Sequence, residues 1–303
     1  MGASRQSGQW LAIGFLTLVV LATLLSLPWT LMRMGDNAAS PRRFEATHPA
    51  LALQPPSTDA WLGTDRLGRD LGSRLLLGGG ISLVIGFCAA GTAMALGTVW
   101  GIAAGLKGGR IDAVLMRIVD VLYGLPAVLL VVVLAVALEG VRDRFGIESG
   151  GARMLLDLGG LFVAIGAVGW LTLARVVRGQ VLSLKARPFL DSARVAGVGR
   201  WRLLRKYYLP WLAGPVLAYT ALIVPAAMLA EAFLSFLGIG VREPLPSWGA
   251  LAASGLSELN PVRFRWWLLV PPCVLIAGTL IALAIVGESL RARLDPRRVD
   301  VQT

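Results

Sequence analysis

Six stretches of this 303-residue chain are long, apolar and free of Asp, Glu, Lys and Arg, and they limit its possible folds more than any other feature. A helix needs about 20 mostly apolar residues to cross a hydrocarbon core about 30 Å thick. The stretches are residues 10–32, 75–106, 121–138, 158–174, 207–230 and 266–287. The third and fourth are short, but each can extend by a turn into flanking apolar residues. We therefore predict an all-α, polytopic membrane protein with six transmembrane helices.

The composition disfavours several other classes. Only 16% of the residues are charged, against about 25% in an ordinary soluble domain, and the mean hydropathy is +0.70. The chain has two cysteines, one histidine (His48) and little polar low-complexity sequence, which disfavours a disordered chain, a disulfide-rich secreted protein and a soluble metalloenzyme. The net charge of +11 fits either a nucleic-acid-binding patch or the cytoplasmic excess of Lys and Arg in a membrane protein.

The first apolar stretch could be taken for a signal peptide, because Arg5 precedes it and the segment 37–40 follows it. Its uncharged core is longer than the roughly 7 to 15 residues of a signal-peptide core, and five more apolar stretches follow. We expect this stretch to be retained as the first transmembrane helix.

The charges orient the chain. With the amino terminus inside, the cytoplasmic segments carry 17 basic and 6 acidic residues, whereas the outer segments carry 12 basic and 11 acidic ones. Nine of the basic residues lie between Arg175 and Lys206. The excess of Lys and Arg marks the cytoplasmic side, so we predict that both termini are cytoplasmic.

Small residues recur at helical spacing in the second stretch, at Gly97, Gly101 and Gly105. Small faces let membrane helices approach closely, so this pattern predicts a packed bundle. Prolines within or beside the stretches are expected to kink the helices. These prolines are Pro126, Pro225, Pro271 and Pro272.

The segment 175–210 has a pattern of short elements. Pro188 is expected to open a short helix, Gly197 and Gly199 to end it, and a second helix, Trp201 to Tyr208, to run into Pro210. A short helix and a basic helix beneath a membrane bundle could fill a groove on a soluble partner. A surface facing phospholipid is the alternative.

This segment resembles the EAA loop of ATP-binding-cassette importer permeases. The resemblance lies in an acid, a small residue, an alanine, then a glycine four residues later, with Leu209-Pro210 following at the family's distance. Asp191 stands where the family usually has Glu, Ser192 where it usually has Ala, and Tyr207 where His is common. The residues expected to couple to an ATPase are Asp191, Ser192, Ala193, Arg194, Ala196 and Gly197.

Other segments resemble the dipeptide and oligopeptide group of these permeases, and most closely its C-type subunit. The likeness runs through nearly the whole chain in order. It lies in residues 62–74 with 81–83, in Asp112, Met116, Arg117, Asp120 and Pro126, in residues 231–240 with 246–249, and in residues 290–296.

The resemblance implies a type I importer permease fold and a bacterial inner-membrane protein. It also implies a heterodimer with a second permease, two ATPase subunits or domains that bind the ATP, and an extracytoplasmic solute-binding protein. Membrane lipid is expected as a partner and nucleic acid is not. We divide the chain into an N-terminal span with its outer loop (1–74), a permease core (75–290) that contains the coupling loop 175–210, and a cytoplasmic tail (291–303).

Glu231 is the one ionisable residue placed at membrane depth, near the outer edge of the core. It could line the outward mouth of a pathway or form buried structural hydrogen bonds. The apolar stretch 232–241 is too long to continue the same straight helix, so we expect a bend or a re-entrant segment after it.

The segment 63–74 and the two cysteines are each given a structural interpretation. The segment 63–74 mixes acids and bases without a third acid at calcium-loop spacing, so we expect an interfacial helix with local salt bridges rather than a metal or phosphate site. Cys88 and Cys273 lie inside apolar stretches, where we expect buried free thiols.

The sequence contains no G-x-x-x-x-G-K-[ST] phosphate loop and no H-E-x-x-H motif. We therefore predict a transport subunit without its own ATPase site, metal site or covalent chemistry. The leading hypothesis is a permease subunit of an ATP-driven importer, with peptide as the solute class that the resemblance implies. The alternatives are a secondary transporter or channel that uses Glu231 for proton coupling, and an intramembrane enzyme.

Overall fold

The computed structural model describes residues 2–34, 41–144, 150–259 and 265–294, and within these ranges the protein is built from helices without a named β-strand. The helices are α1 (Gly2–Thr30), α2 (Leu71–Lys107), α3 (Gly109–Tyr123), α4 (Ala127–Arg144), α5 (Gly150–Lys185), α6 (Pro188–Val195), α7 (Arg200–Leu203), α8 (Leu209–Phe236), α9 (Trp248–Ser257) and α10 (Trp266–Leu294). This confirms the predicted all-α class. Residues 295–303 of the predicted tail, with Arg297 and Arg298, lie outside the described ranges.

Five helical segments of the described chain are long and apolar enough to cross a membrane, and the pair α3 and α4 makes a sixth if it counts as one span. This pair is bent by 96° at its break. The kink expected at Pro126 is therefore confirmed, and it divides the predicted stretch 121–138 between two helices. Pro126 cannot donate a backbone hydrogen bond and disfavours a helical conformation at Leu125, so the helix stops at Tyr123 and restarts at Ala127.

Helix α5 runs eleven residues beyond its predicted apolar stretch, to Lys185, so the first part of the predicted 175–210 loop is helical. The arginines in this extension form ion pairs with acidic residues of α3. Arg178 Nε and Nη2 donate to the two carboxylate oxygens of Asp112 at 2.5 and 2.6 Å, and Arg175 Nη2 donates to Asp120 Oδ1 at 2.8 Å. The helix can continue past the apolar stretch because these pairs satisfy its arginines.

The glycine stripe of α2 packs directly on α5, which confirms the predicted close approach. A Cβ atom at Gly101 would lie 2.6 Å from Ala174 O and 2.7 Å from Val177 Cβ. Gly97 and Gly105 are equally close to α5, at Leu173 and Val181. The contacts advance along both helices together, so α2 and α5 run parallel.

The 63–74 segment is a folded loop up to Asp70, which caps the start of α2, so the predicted interfacial helix is wrong. Gly63 and Gly68 have φ angles of +77° and +72°, and a Cβ atom at Gly68 would lie 1.9 Å from His48 O. This backbone cannot continue as a helix. The predicted local salt bridge is present, since Arg69 Nε donates to Asp65 Oδ2 at 2.6 Å.

The chain bends after α8, as predicted. Helix α8 ends at Phe236, Gly238 has a φ angle of +80°, and the ten-residue helix α9 then packs back against α8 and α10. Pro225, Pro271 and Pro272 lie inside α8 and α10 without ending them.

Cys88 and Cys273 are free, but the prediction that they are buried is wrong, because both side chains are exposed on this chain. Each lies on an outward-facing side of its helix. An apolar stretch predicts burial in lipid or protein alike and does not distinguish between the two.

Candidate functional site

The candidate site is the segment 188–199, which joins α5 to the helices that lead into α8. Arg187 has an extended backbone, and Pro188 occupies the first turn of α6, where its missing N–H costs no hydrogen bond. The predicted short helix is thus observed at Pro188–Val195. The predicted second helix is not separate: α7 continues through a π-helical turn (Leu204–Tyr208) directly into α8.

Gly197 closes α6. The N–H of Gly197 donates to Arg194 O at 3.0 Å, and the N–H of Val198 donates to Ala193 O at 3.1 Å. This pair of bonds is the Schellman arrangement, which needs a left-handed residue after the helix, and Gly197 supplies it with a φ angle of +75°. No heavy atom lies within 4 Å of the position a Cβ would take, so the glycine is required by its backbone angle and not by crowding within this chain.

Leu190 anchors α6 to the bundle. Its side chain is 0% exposed and belongs to an apolar cluster with Leu184 of α5, Leu203 and Tyr208. Burying a leucine contributes about 2 kcal/mol. Sequence reasoning placed Leu190 in the segment but did not single it out, although it is an apolar residue directly before the predicted coupling positions.

The residues predicted to couple to an ATPase lie on the other side of the segment. Ala193 is half-buried and the remaining members of the set are exposed; these are Asp191, Ser192, Arg194, Ala196 and Gly197. The apolar side chains of Val195 and Trp201 are 90% and 71% exposed. An anchored helix that presents small, charged and apolar side chains outward has the form of a docking surface.

Arg194 connects the exposed face to α8. Its Nη1 donates to Asp191 Oδ1 at 2.6 Å and its Nη2 donates to Tyr208 Oη at 3.2 Å. The first pair is largely exposed and contributes little stability. The second ties the segment to the π-helical turn that leads into α8.

Glu231 lies elsewhere, inside the bundle. Its side chain is 1% exposed, and it accepts hydrogen bonds from Ser235 Oγ at 2.8 Å and from Ser82 Oγ of α2 at 3.2 Å. Ser82 Oγ in turn accepts the Trp248 N–H at 3.2 Å. The carboxylate therefore joins α8, α2 and the start of α9, and this arrangement favours the buried hydrogen-bonding role over the pathway role.

At the end of the bundle opposite the 188–199 segment, the predicted local salt bridge of Arg69 belongs to a larger cluster of ion pairs that sequence reasoning missed. We call it the Arg69 cluster; its members are Asp65, Arg69, Arg74 and Glu243. Arg69 and Arg74 both contact Glu243, which follows α8 in the chain. Sequence spacing gives no sign of this contact, since the partners lie far apart in the chain.

Within the described ranges, no group of three or more His, Cys, Asp or Glu side chains is placed to hold a metal ion. The described part of the site consists of a short anchored helix with an exposed face, together with the buried hydrogen bonds of Glu231.

Comparison with known proteins bears on the same region. Residues 97–300 match the family described as the binding-protein-dependent transport system inner membrane component. The chain is 42% identical over 243 residues to the dipeptide transport system permease protein DppC of Bacillus subtilis, covering 80% of this chain and 70% of that protein. It is 37% identical over 287 residues to the oligopeptide transport system permease protein OppC of B. subtilis, covering 95% and 86% of the two chains.

A third relative is the oligopeptide transport system permease protein OppC of Escherichia coli, 38% identical over 256 residues, or 84% of this chain and 78% of that one. The family match includes both the 188–199 segment and Glu231. These findings confirm the resemblance that the sequence motifs indicated, and they make this chain a multi-pass membrane permease that belongs to the family of binding-protein-dependent transport system inner membrane components.

Proposed function

We propose that the chain is one of two permease subunits of an ATP-driven importer whose solute is a peptide, and that it forms half of the translocation pathway. The relatives named as dipeptide and oligopeptide permeases support the solute class. Because a permease of this family works with a binding protein, we include an extracytoplasmic solute-binding protein, a second permease and two ATPase subunits in the assembly.

The observation that carries this proposal is the arrangement of α6. Leu190 is fully buried against α5 and α8, whereas Asp191, Ser192 and Arg194 on the same short helix are exposed. A helix fixed on one side and open on the other suits the transfer of motion from a soluble partner to the bundle.

In the proposed mechanism, nucleotide binding closes the two ATPases and displaces α6 with them. Leu190 passes the displacement to Leu184 at the end of α5, and Arg194 passes it to Tyr208 at the start of α8. Helix α2 follows α5 because their backbones are in contact, and α3 follows through the Asp112–Arg178 pair. Rigid-body motion of this kind can switch a bundle between two access states, provided that the ligand binds one state better.

ATP is assigned to the partner subunits, and this chain supplies the coupling surface. The excess of basic residues in the segments that include 188–199 supports a cytoplasmic location for this segment and for both termini. Docking of a cytoplasmic ATPase on this segment requires that orientation.

Glu231 has no proton-coupling role in this proposal. Its hydrogen bonds to Ser82 and Ser235 hold the re-entrant α9 region against α2 and α8. The secondary-transporter alternative requires instead that Glu231 exchange protons with a pathway.

The test is reconstitution. The chain is expressed with the permease, ATPase and binding-protein genes that neighbour it, purified as a complex and placed in proteoliposomes with the binding protein outside. We expect uptake of labelled di- to pentapeptides that needs both ATP and the binding protein. Uptake driven by a proton gradient without ATP, or purification without any ATPase, would contradict the proposal.

A further inference from the structure

A basic cavity lies between the bundle and the 188–199 segment, and Arg194 of the exposed docking face is one of its lining residues. Its volume is about 640 Å³, within the usual range for ligand sites. Four of its lining residues are basic and none is acidic; the lining consists of Leu106, Lys107, Ile111, Lys185, Arg194, Arg200, Leu203 and Tyr208.

The basic residues come from four different helices. Lys107 and Lys185 are the last residues of α2 and α5, and Arg200 is the first residue of α7. Lys185 Nζ donates to Leu106 O at 3.3 Å, which fixes the two helix ends side by side. The cavity is therefore at the ends of α2 and α5, on the side of the bundle that carries the 188–199 segment.

The charges around the cavity are poorly neutralised by the protein. Asp191 is the partner of Arg194, and Asp112 is already held in a bidentate pair by Arg178. Within the described ranges, the side chains of Lys107 and Arg200 form no ion pair or hydrogen bond. An anion in the cavity would meet at least these two cations.

Tyr208 adds a directed donor. Its side chain is buried, and its hydroxyl oxygen accepts the bond from Arg194 Nη2. The hydroxyl proton has no acceptor among the described residues and can be donated to a ligand oxygen. Leu106, Ile111 and Leu203 give the same cavity an apolar wall.

From these features we infer that the cavity binds the phosphodiester headgroup of an anionic phospholipid, with the glycerol and upper acyl carbons against the apolar wall. Basic pockets between membrane helices on the cytoplasmic side suit such headgroups. The inference rests on the proposed function for its orientation, which puts this end of the bundle on the cytoplasmic side of the membrane. A bound headgroup bridges the ends of α2 and α5 to Arg194 and Arg200, and so holds the 188–199 segment against the bundle.

The test is a lipid titration of the purified full-length chain in neutral detergent, followed by native mass spectrometry. The probes are phosphatidylglycerol, phosphatidylcholine and inorganic phosphate. The variant is Lys107→Gln with Arg200→Gln, and the matched control is Arg110→Gln with Arg117→Gln, which removes two exposed cations of α3 outside the cavity.

We expect one phosphatidylglycerol to bind wild type and the control variant with similar affinity, and the cavity variant about twentyfold more weakly, since each surface cation contributes about fivefold. Phosphatidylcholine should bind more weakly than phosphatidylglycerol, and millimolar phosphate should not displace the lipid. Equal phosphatidylglycerol binding by all three proteins would overturn the inference, and so would displacement by phosphate at the concentration that saturates the site.

A third result would assign the cavity to the ATPase. If the cavity variant binds phosphatidylglycerol normally but no longer co-purifies with the ATPase, the four cations receive an acidic side chain of that partner, and the lipid inference is wrong. The lipid titration uses this chain alone, so its failure is distinguishable from a failure of the proposed transport function.

Discussion

Arg69 and Glu243, 174 residues apart in the chain, form a bidentate pair in which Arg69 Nη1 donates to Glu243 Oε2 at 2.5 Å and Nη2 donates to Oε1 at 2.8 Å. The pair joins the loop before α2 to the loop after α8. Hydrogen bonding from Arg69 lowers the pKa of the Glu243 carboxyl below its ordinary value, although partial burial opposes this. A lowered pKa means that the pair stabilises the folded protein when Glu243 is ionised.

This pair predicts an acid-dependent loss of stability. The contribution of Glu243 is complete above its unfolded-state pKa of about 4.3 and is lost as the pH falls through the lower folded-state value. Because the Glu243 side chain is 62% exposed, Glu243→Gln should cost only about 0.5–1 kcal/mol at pH 7. Thermal unfolding in detergent at pH 7 and at pH 3 measures it, and the difference between the two proteins should be smaller at pH 3. Glu45→Gln is the control, and a constant difference at both pH values would contradict the prediction.

The close contact between α2 and α5 predicts that a methyl group added at Gly101 lowers the stability of the folded chain. At Gly101 a Cβ would lie 2.6 Å from the backbone oxygen of Ala174, which cannot move without shifting α5. We expect Gly101→Ala to destabilise the chain by about 1–3 kcal/mol. Gly91→Ala on the same helix is the control, because nothing lies within 4 Å of its Cβ position. Thermal midpoints measured in one detergent compare the two, and equal stability would argue against the close helix packing.

The buried carboxylate of Glu231 distinguishes a structural role from a pathway role. Glu231→Gln keeps an acceptor for Ser235 and nearly the same volume, so peptide uptake should remain within about twofold of wild type. Glu231→Ala leaves the hydroxyls of Ser82 and Ser235 without their acceptor and should cost about 2–3 kcal/mol. Uptake and thermal stability are measured on the same preparations. Loss of uptake in a stable Glu231→Gln complex would instead favour the proton-coupling alternative.

Leu190 and Val195 are on the same short helix, but their substitutions should have different effects. Replacing Leu190 should mainly lower stability, whereas replacing Val195 should mainly weaken ATPase binding. Leu190→Ala opens a cavity in the cluster with Leu184 and Leu203 and should cost about 2–4 kcal/mol, with ATP hydrolysis partly uncoupled from uptake. Val195→Ala should change stability by less than about 0.5 kcal/mol, because the side chain is 90% exposed, but should weaken ATPase binding. Unfolding curves and ATPase pull-down separate the two effects. A Val195→Ala chain that binds ATPase as wild type does would place the docking contact elsewhere.

The sequence predicts the membrane helices because a span must be apolar along its whole length, and this leaves a signal that is independent of tertiary contacts. It also predicts the short helix after Pro188 and its end at Gly197, which are set by local backbone rules. The family motifs predict which residues of that segment couple to an ATPase, and all of these except Ala193 are exposed.

The features that the sequence does not predict depend on contacts between distant parts of the chain. The kink at Pro126 is expected from proline chemistry, but hydropathy within an apolar stretch does not give its angle of 96°. The extension of α5 depends on Asp112, and the burial of Glu231 depends on Ser82, 149 residues away in the chain. Pairings of this kind arise only when the helices pack, so neither composition nor periodicity reveals them.

The central claim is that the 188–199 segment docks an ATPase, and co-purification of the ATPase with a Gly197→Arg chain tests it most directly. Gly197 and Gly238 have nearly the same left-handed backbone, with φ angles of +75° and +80°, and both have open space at the Cβ position. The two substitutions therefore bring similar backbone strain at opposite ends of the bundle. The account predicts that Gly197→Arg inserts into the membrane but loses the ATPase, whereas Gly238→Arg retains it; ATPase bound equally by both variants would contradict the account.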